Sequence, residues 1–126
     1  MCGIAGIVRF DGSSVAPGLL DAMSRNIRHR GPDSGAYRTF GAAGLAHRRL
    51  AIIDLAGGVQ PLANEDGTVW VTFNGEIYNF QELSRELTGK GHRFETRSDT
   101  AVLVHAYEEW GAECVRRLRG MFAFAI

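Results

Sequence analysis

Glycine is the residue that most constrains how this chain can fold. It supplies 16 of the 126 residues, nearly twice its usual share of roughly 7%. Glycine favours tight turns and weakens the interior of helices, so the chain divides into short segments. With 45% hydrophobic and 22% charged residues, the composition is that of a globular domain. We therefore expect one domain over residues 1–126, built from short strands and helices joined by many turns.

The charge balance excludes some partners. Fourteen Lys and Arg residues match fourteen Asp and Glu residues, so the chain lacks the positive field of a protein that binds nucleic acid or an anionic membrane. It has no apolar run long enough to span a membrane and no signal-peptide pattern. With two cysteines, Cys2 and Cys114, a disulfide-rich scaffold is excluded. We expect a cytoplasmic protein with reduced thiols and a small polar substrate.

Hydrophobic periodicity predicts strands in adjacent groups with helices between them. The predicted strands cover residues 3–10, 36–40, 44–53, 68–73, 121–126 and, briefly, 92–96. The predicted helices cover residues 17–27, 79–87 and 99–110. Because the strands do not alternate strictly with the helices, the pattern favours an α+β fold with mainly antiparallel sheet.

Local signals refine three of these predictions. Asn79 followed by Glu82 resembles a capping box, and either Ser98 or Asp99 can cap the last helix. Residues 121–126 are apolar at every position, which predicts a strand covered on both faces.

Cys2 has the most unusual position in the chain. Removal of Met1 would leave a thiol and a free α-amine on one residue. An α-amine with a pKa near 7.7 to 8.0 is partly neutral at pH 7, so it can take the thiol proton without a histidine. The strand that begins at Gly3 would hold this terminus in place. On position alone, however, Cys2 can also be an incidental second residue.

Asn74, Gly75 and Glu76 lie between a predicted strand and a predicted helix. A side-chain amide beside a glycine backbone can donate two hydrogen bonds to a developing oxyanion, although Asn-Gly is also an ordinary turn. Arg48 and Arg49 lie in an apolar segment, so one of them faces away from solvent if the strand alternates. That guanidinium can pair with a protein carboxylate or with a ligand carboxylate.

The remaining polar candidates stay ambiguous from their local pattern. Asp99 can cap a helix or bind a ligand ammonium. His29, Arg30 and Asp33 surround a Gly-Pro turn and can form a structural latch or an active-site loop. Three further histidines have no metal-ligand spacing and are interpreted as structural or solvated, and Cys114 as a buried small side chain. These histidines are His47, His92 and His105.

Taken together, the motifs resemble the glutaminase domain of class II glutamine amidotransferases, and in detail that of glutamine-dependent asparagine synthetases. The resemblance covers residues 1–126. The motifs that carry it are MCGIAG at 1–6, RHRGPD at 28–33, AHRRLAIID at 46–54, QPL at 60–62, NGEIYN at 74–79, SD at 98–99 and GMFAFA at 120–125. The second and fifth motifs favour the asparagine synthetase branch.

This resemblance implies an N-terminal nucleophile fold, a four-layer α+β sandwich with two mainly antiparallel sheets between helices. It implies that the Cys2 thiolate attacks glutamine, with the Asn74 amide and the Gly75 N–H as oxyanion hole. Arg49 would bind the substrate α-carboxylate, and Glu76 and Asp99 the α-amino group. The backbone of Leu50, Ala51, Ile52 and Ile53 would line the pocket.

The resemblance also implies further strands and a synthetase domain, so residues 1–126 are expected to be the N-terminal portion of a longer enzyme, incomplete at the C-terminal end of the sandwich. The glutaminase step would need no cofactor or metal, whereas ATP and magnesium would act in the synthetase domain. That domain and a possible homodimer are the expected protein partners. Two other functions stay open. One is a non-catalytic or truncated module that binds glutamine or forms an interface in a larger amidotransferase acting on another acceptor; the other is a thiol redox protein that uses Cys2 and Cys114.

Overall fold

The computed structural model describes residues 2–50 and 59–126. The first part contains three strands, β1 (Gly3–Val8), β2 (Ser34–Phe40) and β3 (Ala43–Arg49), with helix α1 (Pro17–Asn26) and a 3-10 helix (Arg28–Arg30) after β1. The second part contains β4 (Leu62–Ala63), β5 (Trp70–Ile77), α2 (Phe80–Gly89), α3 (Asp99–Trp110), a 3-10 helix (Gly111–Arg117) and β6 (Gly120–Ala125).

The described strands form two antiparallel sheets. In the first sheet β3 lies between β1 and β2, with Gly3 opposite Arg48 and Ser34 opposite Arg49. In the second sheet β5 lies between β4 and β6, with Gly75 opposite Phe122. β5 packs against both β1 and β3, and the Thr72 hydroxyl donates to the Ala46 carbonyl, 3.2 Å away, to join the two sheets.

Two apolar clusters cover the outer faces of the sheets. On the first sheet, Leu20 of α1 packs with Ala46 and Val15. On the second, buried residues of β5 pack with α2 and α3: Val71, Phe73, Ile77, Leu83, Leu87, Val102, Leu103, Val104 and Ala106. The layers therefore run helix, sheet, sheet, helices, which confirms the predicted four-layer α+β sandwich.

The three described helices begin where their sequences indicate. Pro17 opens α1, where its missing N–H costs no hydrogen bond. Ser98 caps α3 by accepting from the Ala101 N–H at 3.2 Å, so Ser98 and not Asp99 is the cap. Among these helices, none is long and apolar enough to cross a membrane.

Two predicted local structures are wrong. Residues 92–96 form no strand, because His92 and Phe94 turn toward α3 instead of joining a neighbouring strand. Asn79 forms no capping box. Its side chain instead accepts from the Arg119 N–H and donates to the Arg117 carbonyl, at 2.9 Å each, so it fixes the entry to β6.

Strand limits also differ from the prediction. β5 continues through Asn74 and Gly75 to Ile77, because β6 pairs with it over this whole length. β3 ends at Arg49, while residues 51–53 of the predicted strand lie outside the described part of the chain. β6 is not covered on both faces, since Met121 is 65% exposed.

Candidate active site

Cys2 lies immediately before β1, at the end of the first sheet. The half-buried thiol donates a weak hydrogen bond to the Leu50 carbonyl, with Sγ 4.0 Å from the oxygen. β1 pairs with β3 along its whole length, so the ladder holds the segment that carries the thiol. Continuing that register by one residue brings Cys2 opposite Arg49, and opposed residues face the same side of a sheet.

Alternation along β3 gives the two arginines opposite directions. Arg48 points to the side of the 3-10 helix, where its guanidinium donates to the carbonyls of Gly31 at 2.9 Å and Pro32 at 3.4 Å. Arg49 therefore shares the other face with His47, the face that is turned to β5. Arg48 therefore binds backbone carbonyls on the side of the 3-10 helix, and the predicted carboxylate partner concerns Arg49.

The Gly-Pro turn at 31–32 is a structural latch on β3. Besides the two bonds from Arg48, the Asp33 N–H donates to the Arg49 carbonyl at 3.1 Å. Gly31 is buried, and a Cβ at this position would overlap the Arg48 backbone. The latch fixes the end of β3 beside Cys2. His29 and Arg30, the other predicted members, are exposed in the neighbouring 3-10 helix.

Asn74 lies on the face of β5 that is turned to the first sheet. Its neighbours in the strand divide between the two faces: Phe73 packs into the cluster with α2 and α3, and Thr72 reaches Ala46 of β3. Asn74, two residues after Thr72, shares the Thr72 face and is half-buried. By this alternation Arg49 and Asn74 lie on the faces that the two sheets turn to each other, and Cys2 lies opposite Arg49 in the register.

One edge of β5 presents a row of backbone N–H groups. The Tyr78 N–H donates to the Arg119 carbonyl at 2.7 Å, so these two residues form a hydrogen-bonded pair. Such pairs alternate along an antiparallel ladder, so every second residue of β5 is bonded to β6. By this pattern the N–H groups of Phe73, Gly75 and Ile77 point away from β6. The first donates to Gln60 Oε1 at 2.6 Å and the third to Asp99 Oδ2 at 3.1 Å. The Gly75 N–H lies between them on this edge.

Gly75 is a position that only glycine fits. Its φ is +151°, and a Cβ would collide with the Met121 carbonyl and with Phe122 of β6. Glycine thus lets β6 approach closely while the amide stays on the opposite edge.

Asp99 and Glu76 lie near the end of this edge. Asp99 is in the first turn of α3 and is half-buried, and burial raises the pKa of its carboxyl, while the hydrogen bond from the Ile77 N–H acts in the opposite direction. Glu76 is exposed and shares the Asn74 face.

Gln60 is a site residue that sequence reasoning missed. It is 8% exposed, accepts from the Phe73 N–H, and donates through Nε2 to Thr100 Oγ1 at 3.3 Å. Gln60 therefore links β5, through Phe73, to the first turn of α3, through Thr100, which is next to Asp99. Its place in the QPL motif signalled importance, but no local pattern indicated these partners.

His47 is confirmed as a structural residue. It is 2% exposed, and burial lowers the pKa of its imidazole to about 4, with Arg49 and Arg48 adding to the effect. Nε2 has no hydrogen-bond partner among the described residues. The neutral ring is therefore part of the packing between the sheets.

The remaining residues that the sequence singled out lie in different parts of the chain. Leu50 is half-buried with its carbonyl toward Cys2, whereas Ala51, Ile52 and Ile53 lie outside the described residues. Cys114 is buried in the cluster of β5, α2 and α3, and burial raises the pKa of its thiol. Both cysteines are free, and their separate surroundings give no support to a redox pair.

Known proteins resemble the chain over its whole length. The family described as glutamine amidotransferase domain matches residues 1–126. An asparagine synthetase (glutamine-hydrolyzing) of Oryza sativa is 48% identical over 127 residues, and one of Bacillus subtilis is 47% identical over 131. Each match covers all of this chain but only 21% and 20% of the relative, so the chain spans about a fifth of their length.

Solved structures share the fold at lower identity. The structure titled as the allosteric regulatory enzyme of purine biosynthesis matches with a TM-score of 0.76 and 24% identity, over 98% of this chain and 34% of that one. Glutamine phosphoribosylpyrophosphate amidotransferase of Bacillus subtilis matches with a TM-score of 0.73 and 23% identity, over the same shares. Both matches support the N-terminal nucleophile fold, and the family match fits a glutamine amidotransferase better than a redox protein. The chain belongs to the glutamine amidotransferase domain family.

Proposed function

We propose that this chain hydrolyses glutamine to glutamate and ammonia at Cys2, as the glutaminase domain of an asparagine synthetase. The observation that supports the proposal is the strand register: Arg49 and Asn74 lie on the strand faces that the two sheets turn to each other, and Cys2 lies opposite Arg49. The family match and the two asparagine synthetases at 47–48% identity support the choice of substrate and parent enzyme.

In the first step, the α-amine that Met1 removal exposes takes the Cys2 thiol proton, directly or through water. The thiolate attacks the side-chain amide carbon of glutamine, and the carbonyl oxygen becomes an oxyanion. The Asn74 side-chain N–H and the Gly75 backbone N–H donate to that oxygen. The row of N–H groups on this edge of β5 supports the assignment of Gly75.

In the second step, the α-ammonium returns its proton to the leaving nitrogen, and the carbon–nitrogen bond breaks to release ammonia. The γ-glutamyl thioester on Cys2 is then hydrolysed by water to glutamate, which restores the thiol. These steps use only residues of this chain and need no cofactor.

Substrate recognition depends on the two charged groups on the α-carbon of glutamine, the carboxylate and the ammonium. The Arg49 guanidinium binds the α-carboxylate, and Asp99 with Glu76 binds the α-ammonium. The raised pKa of Asp99 fits this role, because an incoming ammonium compensates for the burial of the carboxylate. Leu50 and residues 51–53 line the pocket.

The amide acceptor is assigned by similarity to the relatives. Ammonia released here would serve ATP-dependent amidation of aspartate, with ATP and magnesium bound by a synthetase domain outside these 126 residues.

The thioester can be trapped with hydroxylamine. On the chain, or on the longer protein that contains it, glutamine plus hydroxylamine should yield γ-glutamyl hydroxamate, and Cys2→Ala should abolish the product. Cys114→Ala is the matched control and should still form the hydroxamate, since the Cys114 thiol is buried in the apolar cluster of β5, α2 and α3. Hydroxamate formation by a well-folded Cys2→Ala variant would contradict the proposal.

A short uncleavable N-terminal extension tests the base separately. It acylates the Cys2 amine but keeps the thiol, so turnover should fall to background. Normal turnover with the extension verified intact would exclude the α-amine as base.

A further inference from the structure

Two histidines and a glutamate, none of them a residue of the candidate active site, converge beside α3. His92 lies in the segment that follows α2, while His105 and Glu108 are three residues apart on α3 and so share a face. One ligand atom from each lies within 4.8 Å of the other two. The spacing along the sequence gave no metal signal because His92 is brought to α3 only by the fold.

The three side chains meet at one carboxylate oxygen. Glu108 Oε2 is 2.7 Å from His105 Nδ1 and 3.7 Å from His92 Nδ1. Both rings therefore present the same nitrogen to one point. The other glutamate oxygen, Oε1, accepts from Asn64 Nδ2 at 2.7 Å, which leaves Oε2 to face the histidines.

The outer nitrogen of each ring faces a second carboxylate. His92 Nε2 is 3.2 Å from Glu109 Oε2, and His105 Nε2 is 3.9 Å from Glu65 Oε1. A carboxylate behind a ligating histidine fixes the tautomer and increases the basicity of the ligand nitrogen. The Glu109 carboxylate is itself held by Lys90 at 2.9 Å.

We propose that His92, His105 and Glu108 form a binding site for Zn²⁺ or a similar divalent transition metal. Two imidazoles and one carboxylate are a recurring combination of zinc ligands, whereas Mg²⁺ and Ca²⁺ bind imidazole poorly and prefer oxygen ligands. With tetrahedral zinc bonds of about 2.0 to 2.2 Å the ligand atoms lie roughly 3.3–3.6 Å apart, so His105 Nδ1 and Glu108 Oε2, now 2.7 Å apart, must separate slightly, whereas His92 Nδ1 is already 3.7 Å from Oε2. His105 is 5% exposed, and Phe94 packs edge-on against its ring at 4.6 Å between centroids, so the site is largely preformed.

The metal would join three separate parts of the chain. It would tie the segment after α2 to α3 and, through Asn64, to the loop that precedes β5. None of its ligands belongs to the candidate active site, so the expected effect is on stability and metal content.

The test is a Zn²⁺ titration of the chain by calorimetry and by competition with a chelating dye. Cys2→Ala serves as the parent, because an N-terminal cysteine binds zinc through its own thiol and amine. We expect one saturable site, a higher melting temperature with Zn²⁺, and no such response to Mg²⁺.

Matched variants identify the ligands. His92→Gln and Glu108→Gln should each weaken zinc binding by at least tenfold and remove the shift in melting temperature. The controls His29→Gln and Glu113→Gln, both exposed in 3-10 helices, should retain both responses.

Absence of a saturable site, or unchanged affinity in His92→Gln, would overturn the proposal. Because His92 lies outside the helices with a partly exposed side chain, we expect its replacement to leave the fold intact, and it decides the matter even if Glu108→Gln is unstable.

Discussion

Adjacent arginines in β3 have different roles because successive side chains face opposite sides of a sheet. Arg49→Ala should raise KM for glutamine by about 10- to 100-fold with kcat nearly unchanged, since it removes a charge-assisted bond worth roughly 1.5–3 kcal/mol. Arg48→Ala should lower the melting temperature, because it releases the carbonyls of Gly31 and Pro32. Steady-state kinetics and thermal unfolding of both variants test this division. A KM effect confined to Arg48→Ala would reverse it.

Asn74 is expected to act later in the reaction than Arg49. The charge that it stabilises exists only after the thiolate has attacked, so Asn74→Ala should lower kcat by roughly 100- to 1000-fold and change KM little. Asn74→Asp retains the size but replaces the donor by an acceptor and should be at least as slow. A large KM increase with unchanged kcat would assign Asn74 to substrate binding instead.

The pairing of β5 with β6 depends on a glycine within β5. Gly75→Ala should lower the free energy of unfolding by about 1–3 kcal/mol, because the methyl group collides with β6 and the backbone leaves the region that L residues favour. Gly18→Ala is the matched control. Gly18 lies in α1 with open space around it, so alanine there should stabilise the chain by about 0.5–1 kcal/mol. Urea unfolding measures both, and equal effects would show that β6 tolerates a side chain at residue 75.

The elements that the sequence predicted correctly are those with signals inside their own segments. Pro17 opens α1, Ser98 caps α3, and alternating or β-branched residues identify β1 and β5. The errors occur where a distant partner decides. Residues 92–96 have strand-like composition but pack against α3, and β5 extends past its apolar part because β6 continues to pair with it.

The candidate site was predictable to a similar extent. The resemblance to a known family supplied Cys2, Asn74 and Arg49, because no local pattern separates these residues from a turn asparagine or a paired arginine. The contacts of Gln60 and the cluster of His92, His105 and Glu108 could not be predicted from the sequence. Their partners are distant along the chain and meet only through the packing of α3.

The interface between the two sheets contains a buried histidine that links the stability of the folded chain to pH. The pKa of His47 is about 4 in the folded chain, because burial and the nearby Arg49 and Arg48 oppose protonation, compared with 6.5 for an exposed histidine. Between these values the unfolded chain binds a proton at His47 and the folded chain does not. Acidification from pH 6.5 to 4 should therefore cost about 3 kcal/mol of the free energy of unfolding.

The comparison of the parent chain with His47→Gln isolates this contribution. The His47 ring hydrogen-bonds to the Phe73 backbone. Glutamine does not titrate and can form a similar bond, so the variant should lose most of the slope of stability against pH between 6.5 and 4. Asp99 acts in the opposite direction, since its pKa is raised in the folded chain and its stabilising effect is lost as pH rises. Because Asp99 is present in both proteins, its effect cancels in the difference between them. Urea unfolding at half-unit pH steps measures this difference, and parallel curves for the two proteins would show that His47 keeps its ordinary pKa between the sheets.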